Sequence, residues 1–474
     1  MNWQLALPEI FLSCSAMAIL MFGVFVRPER SFVMSSMLAV GALLLTAMLV
    51  LSGAPGVGYN GLFTVDAYSH FAKLLILLAV ALGVVMSLDY AEHANMQRFE
   101  FPILMLLAAV GMMLMVSATS LMTLYLGLEL MSLSVYVLAA FARDERRSAE
   151  AGLKYFVLGA LASGLLLYGV SLVYGFSGSM SFAEIGRAMA DPKTASPGLT
   201  VGIVFIVAGL AFKVSAVPFH MWTPDVYEGA PTPVTAFMGT APKVAAIVLL
   251  VRLLSDPFGA LLGQWQQLIV LVSIASMALG SLAAIGQRNI KRLMAYSSIG
   301  HMGYALIGLA AGTGAGVRGV LIYMLTYVFM NAGTFACIIA MRRQGRNVEG
   351  VSDLSGLGRT DPAMALAIAI FMFSMAGIPP FSGFWGKYFI FTAAVQQGMW
   401  LLAVVGVLTS VIGAFYYIRI IKVMYFDEPA AAFDARPASL SFVVGASGLF
   451  TTFFFLFPAP VVAAAEAAAK VLFP

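Results

Sequence analysis

Long apolar runs separated by short polar connections fill most of this chain. Fourteen of these runs approach or exceed the ~20 residues that a helix needs to cross a bilayer, and no run has the pattern of a strand. The predicted spans are Leu5–Val26, Phe32–Leu51, Tyr68–Leu88, Phe101–Val116, Thr119–Phe141, Leu153–Phe176, Leu199–Trp222, Pro233–Leu254, Gln266–Gly286, Leu293–Gly312, Val317–Met341, Ala363–Gln396, Trp400–Tyr425 and Leu440–Phe457. The pattern therefore predicts an all-α, polytopic membrane protein with about 14 transmembrane helices.

Composition supports this interpretation and narrows the possible functions. Of the 474 residues, 61% are hydrophobic and only 10% are charged, whereas soluble domains are roughly 45–50% apolar and about 25% charged. The short connections leave no room for a separate nucleotide-binding or catalytic domain. Any function must therefore lie within the helices or on their faces.

The sequence offers no obvious site for a metal or a redox group. Cys14 and Cys337 lie in spans far apart in the sequence, which argues against a disulfide framework or a cysteine-ligated cluster. No haem-attachment motif and no glycine-rich phosphate loop is present. We therefore expect no cofactor and no metal in this chain.

Basic residues are distributed unevenly between the two sides of the predicted bundle. Sixteen are assigned to the odd-numbered connections and the adjoining span ends. Only five are assigned to the even-numbered connections, the adjoining span ends and the termini: Arg187, Lys193, Arg252, Arg318 and Lys470. Because cytoplasmic connections carry the excess of Lys and Arg, we expect both termini on the outer side. The bias fits a bacterial inner membrane, with both termini periplasmic, although an organelle membrane stays open. The Ala-rich stretch Val461–Phe473 predicts a short helix on that outer surface.

The five remaining basic residues fall inside predicted spans, and all are lysines: Lys73, Lys154, Lys213, Lys243 and Lys387. A desolvated lysine releases its proton readily, whereas arginine stays charged, so this choice favours proton exchange. Lys73 and Lys154 lie near span ends, where long side chains reach the headgroups. We interpret Lys73 in that way and leave both interpretations open for Lys154.

Four ionisable residues lie deep in their spans: Glu129, Lys213, Lys243 and Lys387. Charges in mid-membrane are costly and usually functional. They form either static ion pairs or a proton relay, and we favour the relay. His220 and His301, which lie in the seventh and tenth spans, are further candidates.

Serine and tyrosine side chains recur at helical spacing around these residues. Tyr125, Ser132 and Tyr136 share a face with Glu129, and Ser297, Ser298 and Tyr304 share one with His301. Singly they are typical of helix–helix hydrogen bonds; together they are able to support a chain of waters.

Two spans carry helix-breaking residues beside a lysine. Span seven has Pro218 after Lys213, and span twelve has Gly377, Pro379 and Pro380 before Lys387. Such breaks persist in membranes where they line a cavity. Paired interrupted spans in the two halves of a chain are typical of transporters with repeated architecture.

Two long strings resemble the signature of the antiporter-like subunits of respiratory complex I. They are residues 218–237, followed by Lys243, and residues 291–303. The resemblance extends over nearly the whole chain. Within the family, two features make the chain most similar to one kind of subunit. Its length accommodates fourteen helices and no more, and position 387 is lysine, where another subunit of the family has glutamate.

The resemblance implies two inverted five-helix repeats with broken helices at spans 7 and 12. Residues 1–100 would form an N-terminal three-helix segment, 101–254 the first repeat, 266–425 the second, and 426–474 the C-terminal span and tail. It also implies that Glu129 pairs with Lys213, that Lys243 is the central relay residue and that Lys387 exchanges protons with the outside. Positions with an auxiliary role are His220, His301, Lys154 and Lys291.

The resemblance further implies a proton-translocating membrane subunit of an NADH:quinone oxidoreductase. Flavin, iron–sulfur clusters and quinone would bind to partner subunits, and the partners would be other membrane subunits and lipids, without nucleic acid. Two alternatives stay open: a subunit of a multi-subunit Na⁺/H⁺ antiporter, and a membrane scaffold that pumps nothing.

Overall fold

A computed structural model describes residues 3–190 and 197–473, and helices make up most of them. The α-helices are α1 Leu7–Phe25, α2 Pro28–Ser52, α3 Ala67–His93, α4 Glu100–Ser117, α5 Leu121–Ala139, α6 Arg146–Ser177, α7 Phe182–Ala190, α8 Pro197–Val214, α9 Trp222–Gly229, α10 Thr232–Met238, α11 Ala241–Ser255, α12 Leu262–Ile285, α13 Ile290–Ala310, α14 Gly314–Ile339, α15 Leu357–Thr360, α16 Pro362–Ala376, α17 Ser382–Gln396, α18 Trp400–Phe426, α19 Ala438–Phe453 and α20 Ala459–Leu472. Short 3₁₀ turns occur at Trp3–Ala6, Tyr59–Gly61, Gly259–Leu261, Val351–Leu354 and Phe454–Leu456.

The all-helical, membrane-spanning prediction is confirmed. Within the described ranges, twelve helical segments are long and apolar enough to cross a membrane. The other two predicted spans correspond to α13, which is 21 residues long and carries more polar side chains, and to the broken pair α16 and α17. The predicted C-terminal helix is α20.

The prediction that the chain has no strands was wrong in two connections. One hairpin pairs β1 (Gly56–Gly58) with β2 (Phe63–Val65), and the other pairs β3 (Arg342–Arg343) with β4 (Arg346–Asn347). In the second hairpin Gln344 and Gly345 have φ values of 52° and 73°, as a two-residue turn between twisted strands requires. Strands of two or three residues are too short to produce a periodic signal.

Three further features of the connections differ from the prediction. The amphipathic helix α7, which buries Phe182, Ile185 and Met189, occupies an even-side connection where none was predicted. Span eight is not continuous, since α10 ends before Gly239 and α11 begins at Ala241. Lys193, which entered the charge count, lies outside the described residues.

The two predicted breaks share one backbone geometry. After α8, Ser215 has φ 65° and the Ala216 N–H donates to the Ala211 carbonyl at 2.8 Å. After α16, Gly377 has φ 89° and the Ile378 N–H donates to the Phe373 carbonyl at 3.0 Å. Helices commonly end in this way, with a residue in the left-handed conformation and a backbone hydrogen bond between residues five positions apart. The breaks therefore present equivalent carbonyl-rich helix ends.

The broken segments lie in the interior of the bundle. Every residue of α11 from Ala241 to Leu254 is buried, and α14 is almost fully buried as well. By contrast α1, α2, α6 and α18 expose rows of large apolar side chains, as helices that face lipid or neighbouring helices do. This arrangement places Lys243, on α11, in the buried interior of the bundle.

Candidate functional site

Lys243 lies at the start of α11 and contacts the end of α8. Its Nζ donates to the Val214 carbonyl at 3.2 Å and to the Ser215 Oγ at 2.8 Å, and its side chain is almost fully buried. The Tyr227 ring lies 5.8 Å from the amine. A helix C-terminus carries partial negative charge, so these carbonyls stabilise an ammonium group.

Lys387 has an equivalent environment at the second break. Its Nζ donates to the carbonyls of Met375 and Ala376, at 3.1 and 3.0 Å, where α16 ends. A third bond, of 2.7 Å, goes to the Ser410 Oγ on α18. The Tyr304 ring lies 4.8 Å from the amine. Both buried amines therefore bind neutral oxygens at the C-terminus of an interrupted helix.

Lys213 and Glu129 lie in one cluster formed by α5, α6 and α8. The Lys213 Nζ donates to the Ser132 Oγ at 2.7 Å and to the Tyr136 hydroxyl at 3.0 Å. Glu129 accepts a short hydrogen bond from Ser163 of α6. Ser132 is one turn from Glu129 on α5, so the amine and the carboxylate share a polar patch. Among the described residues Lys213 and Glu129 form no direct ion pair in this conformation: the amine binds Ser132 and Tyr136, and the carboxylate binds Ser163.

His301 is buried on α13 among tyrosines from α13, α14 and α18. Its Nδ1 lies 2.6 Å from the Tyr323 hydroxyl, and its Nε2 lies 3.1 Å from the Tyr417 hydroxyl. The rings of Tyr327 and Tyr304 are centred 5.3 and 6.1 Å from the histidine ring. We call His301 and these four tyrosines the central tyrosine cluster.

The central tyrosine cluster lies between Lys243 and Lys387. On one side, Tyr327 precedes Asn331 by one turn of α14, and both Asn331 and the Tyr227 hydroxyl lie beside Gly239. On the other side, Tyr304 lies under the Lys387 amine. Polar side chains thus extend from one lysine to the other through the buried interior.

Serines complete the hydrogen bonds of the cluster. Ser297 lies 2.5 Å from the Tyr417 hydroxyl, and Ser298 lies 2.8 Å from the Tyr327 hydroxyl. The helical-spacing argument had placed both serines beside His301. It gave no sign of Tyr417, because that residue comes from α18, 116 positions away along the chain.

The other sequence-predicted residues lie outside this interior row. Lys154 is half-buried on the odd side, where it pairs with Glu150 at 2.8 Å and with Asp225 at 2.9 Å. His220 follows the first break and is half-buried, and its ring lies beside the Pro218 backbone.

Lys291 is buried where α9 ends. Its Nζ donates to the Glu228 and Ala230 carbonyls at 2.9 and 2.8 Å and pairs with Glu349 at 3.0 Å. It therefore resembles Lys243 and Lys387 in binding the carbonyls at a helix end, and it differs from them in having a carboxylate partner.

The interpretation of Lys73 as a side chain that reaches the headgroups was wrong. Lys73 is buried on α3, and its Nζ pairs with the Glu9 Oε1 at 2.7 Å; the two side chains are 1% and 4% exposed. Glu9 was not considered as an intramembrane carboxylate, because it lies near the start of the first apolar run. The sequence did contain a signal for this pair: Glu9 lies about as far into the first predicted span as Lys73 lies into the third.

A second buried ion pair also escaped the sequence analysis. Arg252 was assigned to an even-side connection, yet it lies within α11 and is buried. Its Nη2 binds both carboxylate oxygens of Asp66, at 2.8 Å each. Such a pair joins α11 to the start of α3 and leaves neither charge uncompensated.

Comparison with known proteins places the chain in a family. The family described as "NADH:quinone oxidoreductase/Mrp antiporter, TM" matches residues 118–413, a range that contains all four principal candidates. The chain belongs to this family of membrane subunits.

Curated relatives define the subfamily. Proteins named NADH-quinone oxidoreductase subunit N are 64% identical in Granulibacter bethesdensis and 58% identical in Gluconacetobacter diazotrophicus, each over 100% of both chains. The chain is a member of this subunit N group, as the length and Lys387 had indicated.

Solved structures agree with this placement. A chain of respiratory complex I from Thermus thermophilus is 33% identical, with a TM-score of 0.83 over 97% of this chain and 99% of that chain. A chain of the Mrp complex from Dietzia sp. has a TM-score of 0.87 at 22% identity over 100% of this chain and 98% of that chain, and shares the fold. Within residues 3–190 and 197–473, no three histidine, cysteine or carboxylate side chains gather at a metal-sized site.

Proposed function

We propose that this chain relays protons across the membrane as a subunit of an NADH-quinone oxidoreductase, using Glu129, Lys213, Lys243 and Lys387. His220, His301, Lys154 and Lys291 would act as auxiliary groups. The observation that supports the proposal best is the matched environment of Lys243 and Lys387. Both amines bind neutral oxygens, and the central tyrosine cluster connects them.

This environment suits a group that changes charge. An amine paired to a buried carboxylate cannot lose its proton without leaving an unpaired charge, which costs several kcal/mol. An amine bound to carbonyl and hydroxyl oxygens meets no such penalty when it becomes neutral. The helix C-terminus still stabilises the charged state, so both states are accessible.

Electrostatic coupling would drive the relay. Closely spaced ionisable groups titrate together, so a charge change at Glu129 and Lys213 alters the proton affinity of Lys243 and then of Lys387. One pKa unit corresponds to about 1.4 kcal/mol, and moving a charge through 100 mV costs about 2.3 kcal/mol. Shifts of two or three pKa units per step would therefore suffice.

Polar atoms along the row are consistent with a hydrated path. The Tyr227 hydroxyl lies near the Ser298 side chain, and the Asn331 amide nitrogen is buried and has no hydrogen-bond partner among the described protein atoms. Buried polar atoms of this kind are usually satisfied by ordered water. Water at these atoms would connect Lys243 to the central tyrosine cluster.

The remaining parts of the proposal concern the setting of the chain. Quinone reduction elsewhere in the complex would supply the driving charge change, and flavin, iron–sulfur clusters and quinone would belong to partner subunits. The odd connections would be cytoplasmic, with both termini periplasmic at a bacterial inner membrane. Neighbouring membrane subunits would contact the exposed apolar helices. The two five-helix repeats would extend over residues 101–254 and 266–425.

The test is proton translocation by the assembled complex carrying Lys213→Ala or Lys387→Ala. We expect fewer protons moved per NADH oxidised in both variants. Lys422→Ala is the matched control, because Lys422 is an exposed lysine on the odd side that pairs with Asp427. Full stoichiometry in both test variants would favour a structural scaffold instead.

A further inference from the structure

A large cavity opens on the odd side of the bundle, away from the lysine row. Its volume is about 980 Å³, and α1, α4, α5 and α6 supply its walls. Because α1 packs on α4 and α6 packs on α5, the cavity follows the α4–α5 surface between two raised rims. None of the groups assigned to the relay lines it.

The mouth of the cavity carries charges of both signs. Arg98 and Arg143 lie there together with Glu100, Asp144 and Glu145. All five side chains are exposed, and the ion pairs formed by the described residues include none of them. Clustered charges that do not pair with one another are available to a ligand with both a negative and a positive group.

The depth of the cavity is apolar. Leu104 and Leu107 on α4, Val137 on α5, and Leu153 and Phe156 on α6 line it. Val137, Leu153 and Phe156 are 53%, 64% and 49% exposed, respectively. At 1.5 Å per helical residue, Leu107 is roughly 10 Å below the start of α4 and Phe156 about 15 Å below the start of α6. This depth is about one leaflet of a ~30 Å hydrocarbon core.

We propose that this cavity binds one phospholipid with an amine in its headgroup. The phosphate would contact Arg98 and Arg143, the ammonium group would contact the carboxylates, and the acyl chains would lie along α4, α5 and α6. A helix from a partner protein fits less well, because a spanning helix needs the full ~30 Å and an apolar surface at both ends. A purely anionic headgroup would be repelled by the three carboxylates beside the two arginines.

The position of the site gives the lipid a structural consequence. Tyr136, which binds the Lys213 amine, also lines the inner wall of the cavity. Acyl chains against this wall would keep bulk water from the polar patch on that side. This consequence depends on the proposed relay, whereas lipid binding itself does not.

The test is photo-crosslinking of the intact complex in vesicles that contain a phosphatidylethanolamine with a diazirine on its acyl chain. Peptide mapping should place the crosslinks on the cavity-facing positions of α4, α5 and α6. A phosphatidylglycerol probe with the same chain should label them much less, because it lacks the ammonium group.

Variants then test the headgroup contacts. The double variant Arg98→Ala/Arg143→Ala removes two basic contacts near the membrane surface and should therefore reduce labelling by about thirtyfold. Arg359→Ala is the control, since Arg359 is an exposed odd-side arginine outside the cavity. Leu104→Trp, which fills apolar volume without changing charge, should also reduce labelling.

Three results would overturn the proposal. The first is wild-type labelling that misses the cavity, as expected if a neighbouring subunit fills it. The second is equal labelling by both probes, and the third is unchanged labelling in the double variant. If the variants do not assemble, the comparison of the two probes on the wild-type complex still decides.

Discussion

The buried pair of Glu9 and Lys73 allows a sharp prediction, because it is isolated from the lysine row. Lys73→Met removes the amine and leaves the Glu9 carboxylate, which is 4% exposed, without its partner 2.7 Å away. Glu9→Gln leaves the amine unpaired in the same way. The double variant removes both charges and keeps side chains of similar length.

The expected magnitudes follow from burial. Breaking a buried ion pair by removing one partner costs about 3–5 kcal/mol, whereas replacing both partners is often close to neutral. The Lys73 amine also lies 4.9 Å from the centre of the Phe63 ring, which adds roughly 0.5–2 kcal/mol to its stabilisation. We therefore expect Lys73→Met to destabilise most, Glu9→Gln somewhat less, and the double variant least.

The assay is retention of the chain in the assembled complex during stepwise heating, followed on native gels. Each single variant should lose the chain at a lower temperature than wild type, and the double variant should recover most of the difference. Proton translocation by the double variant should equal that of wild type, because the pair lies outside the proposed relay. Additive losses in the double variant would refute this reasoning, as would single variants that behave like wild type.

Three further predictions concern other parts of the chain. Gly377→Ala should impair assembly or translocation, because φ 89° is strained for alanine and its Cβ would lie 3.0 Å from the Lys387 Cδ. The control is Gly445→Ala, because Gly445 has open space around it. Equal behaviour of the two variants would count against the prediction. Tyr417→Phe removes the hydroxyl bound to His301, so it should lower the proton flux per NADH oxidised without affecting assembly. Tyr425→Phe is the control. Wild-type flux in Tyr417→Phe would show that this hydroxyl is not part of the proton path. The N–H groups of Gly345 and Gln344 hold the pKa of the Asp434 carboxyl below its usual value. This contact should persist at pH values above the usual pKa and weaken as the pH falls through the lowered pKa. Limited proteolysis of the linker at 427–437 should therefore accelerate in acid, and Asp434→Asn should abolish this dependence.

The sequence predicted the features that depend on local chemistry. Proline and glycine marked the breaks at spans seven and twelve, because they remove donors or favour left-handed backbone wherever they occur. The buried positions of Lys213, Lys243 and Lys387 followed from their distance to the span ends. These inferences needed no knowledge of how helices pack.

Features that depend on tertiary contacts were not accessible. The Ser163 hydroxyl that occupies Glu129 comes from a neighbouring helix, and the Glu9 partner of Lys73 comes from 64 positions earlier in the chain. The end of α10 at Met238 was missed because Gly239 and Pro242, which flank the break, were not interpreted as ending a helix. Pro242 stands in the first turn of α11, where proline is well tolerated. These contacts depend on which helices pack against each other, and the local sequence does not contain that information.

The central claim is that buried lysines exchange protons, and Lys387→Arg tests it most directly. Arginine keeps the positive charge at the end of α16 but does not release its proton. The measurement is protons translocated per NADH oxidised by the assembled complex in sealed vesicles, with Lys387→Ala in parallel. The account predicts that Lys387→Arg is as deficient as Lys387→Ala. A wild-type ratio in Lys387→Arg would show that a fixed charge is sufficient, and would contradict the relay.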